Sequence, residues 1–379
     1  MGKIFRIQLL PARHGDAILV EYGDELRPSR FLVDGGPLGA YPILQRRLES
    51  LPKDQCVLEL LVVTHIDGDH IEGALKLLNH AELVRFQDIW FNGWPHLDQP
   101  LQESLVDRGA HAASPDAQRG VQQGIFLGQR IGNGAWNVAF EGRPIFVPMA
   151  GDLPTVELPG GMKITLLSPR LAELKTLRAA WSKTMDRLGL DPDDKQKLDR
   201  QTRFRGVQMQ EQRILDVLHG TSDVIGKVDD AAANGSSVAF VAEYEGRRCA
   251  FMGDAHTAPV DNALARMARK EGTARVRLDA FKVPHHGSAG NINANVLARI
   301  QCDTYLVSTD GSLFRHPDDA AIEMIAQRSP GARLHFNYRS ERTAIWDDAR
   351  LQEKLGYSAH YPRLAEEGTV LDLLASSRG

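Results

Sequence analysis

The sequence predicts an α/β fold, and three features carry that prediction. Short apolar or alternating runs that read as strands recur along the chain, with helix-period stretches between them. The apolar run from Leu58 to Val63 stops abruptly at His65, Asp67, Asp69 and His70, after which Ala74, Leu75, Leu77 and Leu78 turn helical. Later strand-like runs end in the same residue types: Asp254, the pair His285 and His286, and His316. Ligand-capable side chains at the ends of buried strands are what a metal site on a rigid scaffold requires.

Taken in order, Phe5–Leu10 alternates with strand period, Ala17–Tyr22 is a second strand, and Arg30–Asp34 a third, closed by Gly35, Gly36 and Pro37. A short helix over Pro42–Leu51 precedes the strand 58–63. Val84–Phe91 reads as a strand stopped by Asn92, Gly93 and Pro95, and His96–Ala135 is mixed polar sequence with no readable period. Thr155–Ser168 is a hairpin around Pro159, Gly160 and Gly161. Leu171, Leu174, Leu177 and Trp181 fall at helical spacing, and a second amphipathic stretch covers Lys195–Leu218. The polar face of this region carries Lys175, Arg178, Lys183, Arg187, Lys197, Arg200, Arg203 and Arg205. It reads either as a solvated helical face or as a grip on a phosphate backbone. Strands then return at Val238–Tyr244 and Arg248–Gly253, Leu278–Val283, Asp303–Ser308 and Ala332–Phe336. Helices over Val260–Ala268, Asn293–Ile300 and Asp318–Gln327 separate them, and short strands at Arg342–Trp346 and Thr369–Leu373 follow.

Composition sets few limits. The 379 residues are 42% apolar and 25% charged, which is ordinary for a globular protein with ample length for a core. A net charge of −4 gives no general attraction for a polyanion, so any basic footprint is local. The three cysteines, Cys56, Cys249 and Cys302, are too scattered for a disulfide framework or a cysteine zinc site. The N-terminal residues lack a signal-peptide apolar run, Arg6 removes a myristoylation reading of Gly2, and no window approaches a membrane span. The expectation is a soluble, cytoplasmic protein with no membrane partner.

Each of these strand ends also has a plainer reading, though that of the first accounts for Asp69 and not for His65, Asp67 or His70. Asp69 with Glu72 would make a capping box, Asp254 after Gly253 a turn, His285 and His286 a hydrogen-bonded core pair. His316 before Pro317 would mark a helix start with Pro in its first turn. For the chain to carry no site, all of these must hold together.

The ordered series His65-x-Asp67-x-Asp69-His70, Gly253-Asp254 and Pro284-His285-His286-Gly287-Ser288 resembles the metallo-β-lactamase fold superfamily. It looks closest to the hydrolase domain of ComEC-type competence proteins, without their membrane channel. Gly15-Asp16, Val33-Asp34-Gly-Gly, Asn234-Gly-Ser-Ser and Ser308-Thr-Asp-Gly through His316-Pro317 are similar to that branch too, over roughly residues 4–80 and 150–340. The resemblance implies a four-layer αββα sandwich, a single domain over 1–379 with a helical insertion at 171–233. It implies two divalent ions, Zn²⁺ or Mn²⁺: His65 and Asp67 on the first, Asp69, His70 and His285 or His286 on the second, and Asp254 bridging. Asp67 stands where a second histidine is usual, which makes the first site richer in oxygen and more tolerant of manganese. The histidine expected before the Asp254 strand is missing, with Asn234 nearest its place, and His14 stands where the branch has glutamine.

The expected chemistry is metal-activated water attacking a phosphodiester, DNA or RNA, with Asp69 orienting the nucleophile and His286 or His316 passing a proton to the leaving group. Ser288, Gly287 and Asn234 are expected at the substrate, and Asp16 and Asp34 behind the ligands as acceptors for imidazole N–H groups. Two alternatives accompany this reading: hydrolysis of a cyclic nucleotide, lactone or thioester by the same centre, and a non-catalytic metal-binding module in a larger complex.

Overall fold

Period-two alternation in Lys3–Leu9, Ile18–Asp24 and Arg27–Val33 sends Phe5, Ile7, Leu9, Val20, Tyr22, Phe31 and Val33 to one face. Leu19 and Leu32 go to the other. Both faces are apolar, so each must be covered. The computed structural model, which describes residues 2–80, 82–98, 115–132, 134–190 and 228–375, shows by what. A six-stranded sheet runs in the order Thr369–Asp372, Lys3–Leu9, Ile18–Asp24, Arg27–Val33, Leu60–Val62, Ile89–Trp90. An eight-stranded sheet runs Ser358–His360, Arg333–Phe336, Thr304–Val307, Ala280–Lys282, Arg247–Phe251, Ala239–Tyr244, Met162–Ser168, Thr155–Leu158.

The two sheets share one buried layer, in which Phe5, Phe31 and Trp90 of the first meet Ile164, Phe240 and Phe251 of the second. Phe31 packs edge-on to Phe251 at 5.9 Å between centroids, and Phe240 stacks on Phe251 at 5.2 Å. Such pairs add about 1 kcal/mol each beyond the area they bury. The outer face of the first sheet is covered by the helices Tyr41–Glu49, Gly68–Leu78, Pro115–Ile131 and Leu171–Leu188. That of the second is covered by Thr257–Glu271, Ala294–Arg299 and Asp319–Arg328. The result is the four-layer αββα sandwich that the resemblance implies.

Each sheet is antiparallel on one side and parallel on the other. Arg27–Val33, Leu60–Val62 and Ile89–Trp90 run parallel, as do Arg247–Phe251, Ala280–Lys282, Thr304–Val307 and Arg333–Phe336. The carboxyl ends of these parallel strands carry Asp34, His65, Asp254, His285 and Ser308. A crevice outside such strand ends is where α/β sheets bind ligands.

Several expectations need correction. The strand over 58–63 is two pieces, Val57–Leu58 and Leu60–Val62, and Val84–Phe91 breaks in the same way, whereas Leu278–Val283 is shortened to Ala280–Lys282 with Val276–Arg277 a separate piece before it. The short outer pieces pair only with each other, Val57–Leu58 with Arg85–Phe86 and Val276–Arg277 with Ile300–Gln301. Arg342–Trp346 is not a strand but a helical turn, Glu341–Ala344, capped by Ser340, whose hydroxyl accepts from the Thr343 amide. The unread region holds the helix Pro115–Ile131. In the expected insertion, Leu171–Leu188 is helical and buries Leu174, Leu177 and Trp181 against the first sheet. On its polar face Arg178 pairs with Asp98 at 3.0 Å and lies over the Trp94 ring. The stretch Lys195–Leu218, with Lys197, Arg200, Arg203 and Arg205, lies outside the described residues. Among the described residues no helix is long and apolar enough to cross a membrane.

Candidate metal centre

The turn after Leu60–Val62 is held by backbone contact. The Gly35 amide donates to the His70 carbonyl at 2.9 Å, and the Gly73 amide to the Gly36 carbonyl at 2.8 Å. A Cβ on Gly73 would lie 1.9 Å from the Gly35 oxygen, and one on Gly15 would lie 1.9 Å from the Asp69 oxygen. Only glycine permits such approach. The motif helix Gly68–Leu78 begins with Asp67 at its N-cap, without a side-chain capping bond. The capping-box reading of Asp69 and Glu72 is therefore wrong. Glu72 instead accepts from the Leu38 amide at 2.7 Å and from Gln123 at 2.9 Å, which ties the motif helix to Pro115–Ile131.

Asp34, fully buried and at φ 58°, organises the imidazoles of this half. Its Oδ1 accepts from the Thr64 amide at 2.7 Å, and its Oδ2 accepts from the Thr64 hydroxyl and from His70 Nδ1, both at 2.8 Å. With its own proton given to Asp34, the Thr64 hydroxyl stands 3.0 Å from His65 Nδ1 as acceptor. Both rings are thereby held outward through Nδ1 and present Nε2 to the cluster, the orientation a metal ligand needs.

The second sheet supplies the facing donors. Pro284–Gly287 forms a tight turn in which His285 and His286 both have positive φ, 45° and 55°. Successive imidazoles consequently diverge, their planes 74° apart. His286 is fully buried, with Nδ1 donating to the Ser308 carbonyl at 2.8 Å. His285, 22% exposed at its side chain, has Nδ1 2.7 Å from Asn291 Oδ1.

The Nε2 atoms converge on carboxylates. Asp254 Oδ2 lies 3.6, 3.4 and 3.7 Å from Nε2 of His65, His70 and His285. Asp67 Oδ2 is 3.5 Å from His65 Nε2, and Asp69 Oδ2 is 3.5 Å from His286 Nε2. Most of these separations exceed a good hydrogen bond. They match the edge of a coordination sphere, since two donors each about 2.1 Å from one tetrahedral ion stand roughly 3.4 Å apart. Nε2 of His65, His70 and His286 and Oδ1 of Asp254 are buried without a hydrogen-bond partner. Buried polar atoms without a partner are costly, so donors orphaned together and aimed at one another fit a shared cation.

Grouped by mutual distance, His65, His70 and Asp254 form one set able to hold an ion, and Asp69, His70 and His286 another. In a third grouping, Asp16, Asp34 and His70, Asp34 is used as described and Asp16 Oδ2 accepts from buried Lys282 at 2.7 Å, while Asp16 Oδ1 is buried without a hydrogen-bond partner. Asp16 also faces His286 Nδ1 at 3.6 Å.

Electrostatics agree with this arrangement. Burial would push the Asp254 carboxyl up, but His285, His70 and His65 outweigh it and hold it well below the carboxylate range. Asp69 is likewise lowered against burial, by His70 and His286. Burial disfavours charge on His70, yet Asp254, Asp34 and Asp69 raise its pKa well above the usual value. His285 is raised to about 10 in the same way, by Asp254 and Asp229. The field therefore favours positive charge at the imidazole Nε2 positions.

The remaining expected site residues lie around this cluster. His316 sits beside His285, ring centroids 5.3 Å apart, with Nδ1 3.2 Å from Asp318 Oδ1. Its pKa is lowered by burial, against Asp318. The peptide before Pro317 is cis and Asp318 is the N-cap of Asp319–Arg328, so Pro317 precedes the helix rather than opening it. The Ser288 amide donates to the His285 carbonyl at 2.8 Å, and its hydroxyl accepts from the Gly290 amide at 3.2 Å. Gly287 is buried against Pro317. Asn234 is 5% exposed and donates to Asp229 at 2.8 Å, with Oδ1 unpartnered. Residues not foreseen from sequence are Thr64, Asp229, Asn291 and Lys282. His14 is buried, edge-on to Phe314 at 5.7 Å.

No family model matches the chain, and no curated protein matches it. Solved structures are similar at low identity. The metallo-β-lactamase fold protein YhfI from Bacillus subtilis is 11% identical at a TM-score of 0.41, over 98% of this chain and 100% of that one. CmlA, a diiron β-hydroxylase from Streptomyces venezuelae, is 14% identical at 0.40, and a mutant of CmlA β-hydroxylase is 13% identical at 0.38. The chain spans 54% of the length of each CmlA chain, with 98% of itself covered. Likenesses of this degree carry no weight for its chemistry, which rests on the side chains.

Proposed function

We propose that this chain is a metal-dependent hydrolase with a dinuclear centre, acting on a phosphodiester and most naturally on DNA or RNA. The observation that carries the metal centre is the convergence of orphaned imidazole Nε2 atoms on Asp254 and Asp69, each ring tied outward through Nδ1. His65, Asp67 and Asp254 would hold one ion, with His285 alongside at Asp254. Asp69, His70 and His286 would hold the other, with Asp254 between them. His286 is thereby assigned as a ligand rather than a proton donor, because its Nε2 belongs to the Asp69–His70 group. Bound Zn²⁺ or Mn²⁺ supplies Lewis acidity and a water of lowered pKa. The carboxylates Asp67, Asp69 and Asp254 make the donor set hard enough for manganese.

The chain's own residues do the rest. Asp69, with one oxygen facing His286, would orient the attacking water through the other. His316, whose pKa burial lowers and whose Nδ1 faces Asp318, would take a proton from the attacking water through Nε2 and pass it on to the leaving oxygen. The Ser288 hydroxyl and the Gly287 amide, which follow His286 in the chain, would contact a phosphoryl oxygen. Asn234, whose Nδ2 donates to Asp229, keeps Oδ1 without a protein partner and would offer it to substrate. The phosphodiester assignment is supported by the resemblance to the ComEC-like branch and by this oxygen-rich donor set.

A metal and substrate screen tests the proposal. With Mn²⁺ or Zn²⁺ added, bis-p-nitrophenyl phosphate and single-stranded DNA are expected to be cleaved, and Asp69→Ala to abolish both activities. If a lactone or thioester is hydrolysed while every phosphodiester is untouched, the substrate assignment is wrong.

A further inference from the structure

Asp229 lies outside every motif in the sequence, yet its carboxylate collects the second-sheet side of the site. Its Oδ1 accepts from the Ala231 amide at 2.9 Å, which fixes the carboxylate plane. Its Oδ2 accepts from Asn234 Nδ2 at 2.8 Å and from Asn291 Nδ2 at 2.7 Å, and lies 3.6 Å from His285 Nδ1. Asn291 completes the link: its Nδ2 also donates to the Asp254 carbonyl at 2.9 Å, and its Oδ1 is 2.7 Å from His285 Nδ1. Asp254, whose side chain stands at the centre of the cluster, is thus tied to the same carboxylate as the imidazole that faces it.

The arrangement repeats on the second sheet what Asp34 does on the first. Asp34 fixes His70 directly and His65 through the Thr64 hydroxyl. Asp229 fixes His285 through the Asn291 amide and faces it directly. Outer partners of this kind set the tautomer and aim of a ligand, and their loss typically weakens metal binding.

We propose that Asp229 is the positioning residue for the second-sheet half of the metal centre, acting through Asn291 to hold His285 and the Asp254 loop; this rests on the dinuclear reading above. Asp229→Asn keeps the size of the side chain but places an amide group opposite amide donors. Asn291→Ala removes the same link from its other end.

The test is titration of Mn²⁺ into the full chain stripped with chelator, followed by the electron paramagnetic resonance of free Mn²⁺, with thermal melting of the metal-free protein alongside. Wild type is expected to take up two ions. Asp229→Asn and Asn291→Ala are expected to bind one of them as wild type does and the other roughly 10–100-fold more weakly. Asp229→Glu should recover part of that loss, and the metal-free melting temperatures should stay close to wild type. If both variants bind both ions with wild-type affinity, Asp229 is not a positioning residue, whatever happens to the melting temperature. A variant that does not fold leaves the other to decide. Fewer than two ions on wild type would overturn the dinuclear reading itself, a result distinct from equal affinities in wild type and variants.

Discussion

The two sheets contribute to one site by different means. The first delivers His65, Asp67, Asp69 and His70 from one strand end and the first turn of one helix, with a single carboxylate, Asp34, behind both imidazoles. The second delivers Asp254 from one strand end and His285 and His286 from the next, and each ring has its own brace: Asn291 with Asp229, and the Ser308 carbonyl. A local motif concentrates its support and a dispersed one distributes it. Damage behind the first sheet should therefore reach both of its rings at once, whereas damage behind the second should stay with one.

The largest effect is expected where the halves meet. Asp254→Ala removes the oxygen that faces His65, His70 and His285, and should lower bound metal and reduce phosphodiester hydrolysis to the metal-free background. Metal analysis beside turnover of bis-p-nitrophenyl phosphate checks it, and wild-type metal content in this variant would break the picture of a shared centre. Next is Asp34→Asn. Because it loosens His70 and, through Thr64, His65, it should weaken both ions, by about 100-fold for at least one. Weakening of a single ion only would remove the contrast with Asp229.

Gly73→Ala tests the packing that places the first half. The added Cβ meets the Gly35 backbone at 1.9 Å. A cost of about 2–3 kcal/mol is expected from forcing the helix off the loop, read as a lower melting temperature of the metal-free protein.

The smallest effect is an acid response away from the site. His96, near the first sheet, and His335, in the second, have pKa values lowered to about 4, in both cases chiefly by burial. Above roughly pH 6.5 both the folded and unfolded states hold these rings neutral. As pH falls from there towards 4, the unfolded chain takes the protons and the folded one does not, so stability is lost across that window. His96→Gln should flatten the fall in melting temperature between pH 6.5 and 4, and an unchanged slope would contradict the cause given.

What was legible in the sequence follows the same division. The His65–His70 turn could be read because its donors crowd into a few residues after an apolar strand. Asp254, His285 and His286 could be read because each follows another such strand. Which of His285 and His286 meets Asp69 could not, since it depends on two consecutive positive φ angles. Asp229 and Asn291 stand 62 residues apart in the chain, and no spacing announces their contact. The helix Pro115–Ile131 was hidden by its glycines, which usually punctuate loops. Here Gly120, Gly124 and Gly128 lie along one helix face, where a Cβ would strike the Ile66 backbone oxygen at 2.9 Å, Trp181 at 2.6 Å and Trp136 at 2.9 Å. They mark close packing instead of a break. At Arg342–Trp346 apolar and β-branched residues suggested a strand, and the reciprocal Ser340–Thr343 capping bonds decided for a helical turn.

The most direct measurement of the central claim is metal stoichiometry on the full chain. Equilibrium dialysis of the chelator-stripped protein against Mn²⁺ and, separately, Zn²⁺ should give two ions per chain for at least one metal, falling on Asp254→Ala. Fewer than two ions per chain with both metals would contradict a dinuclear centre.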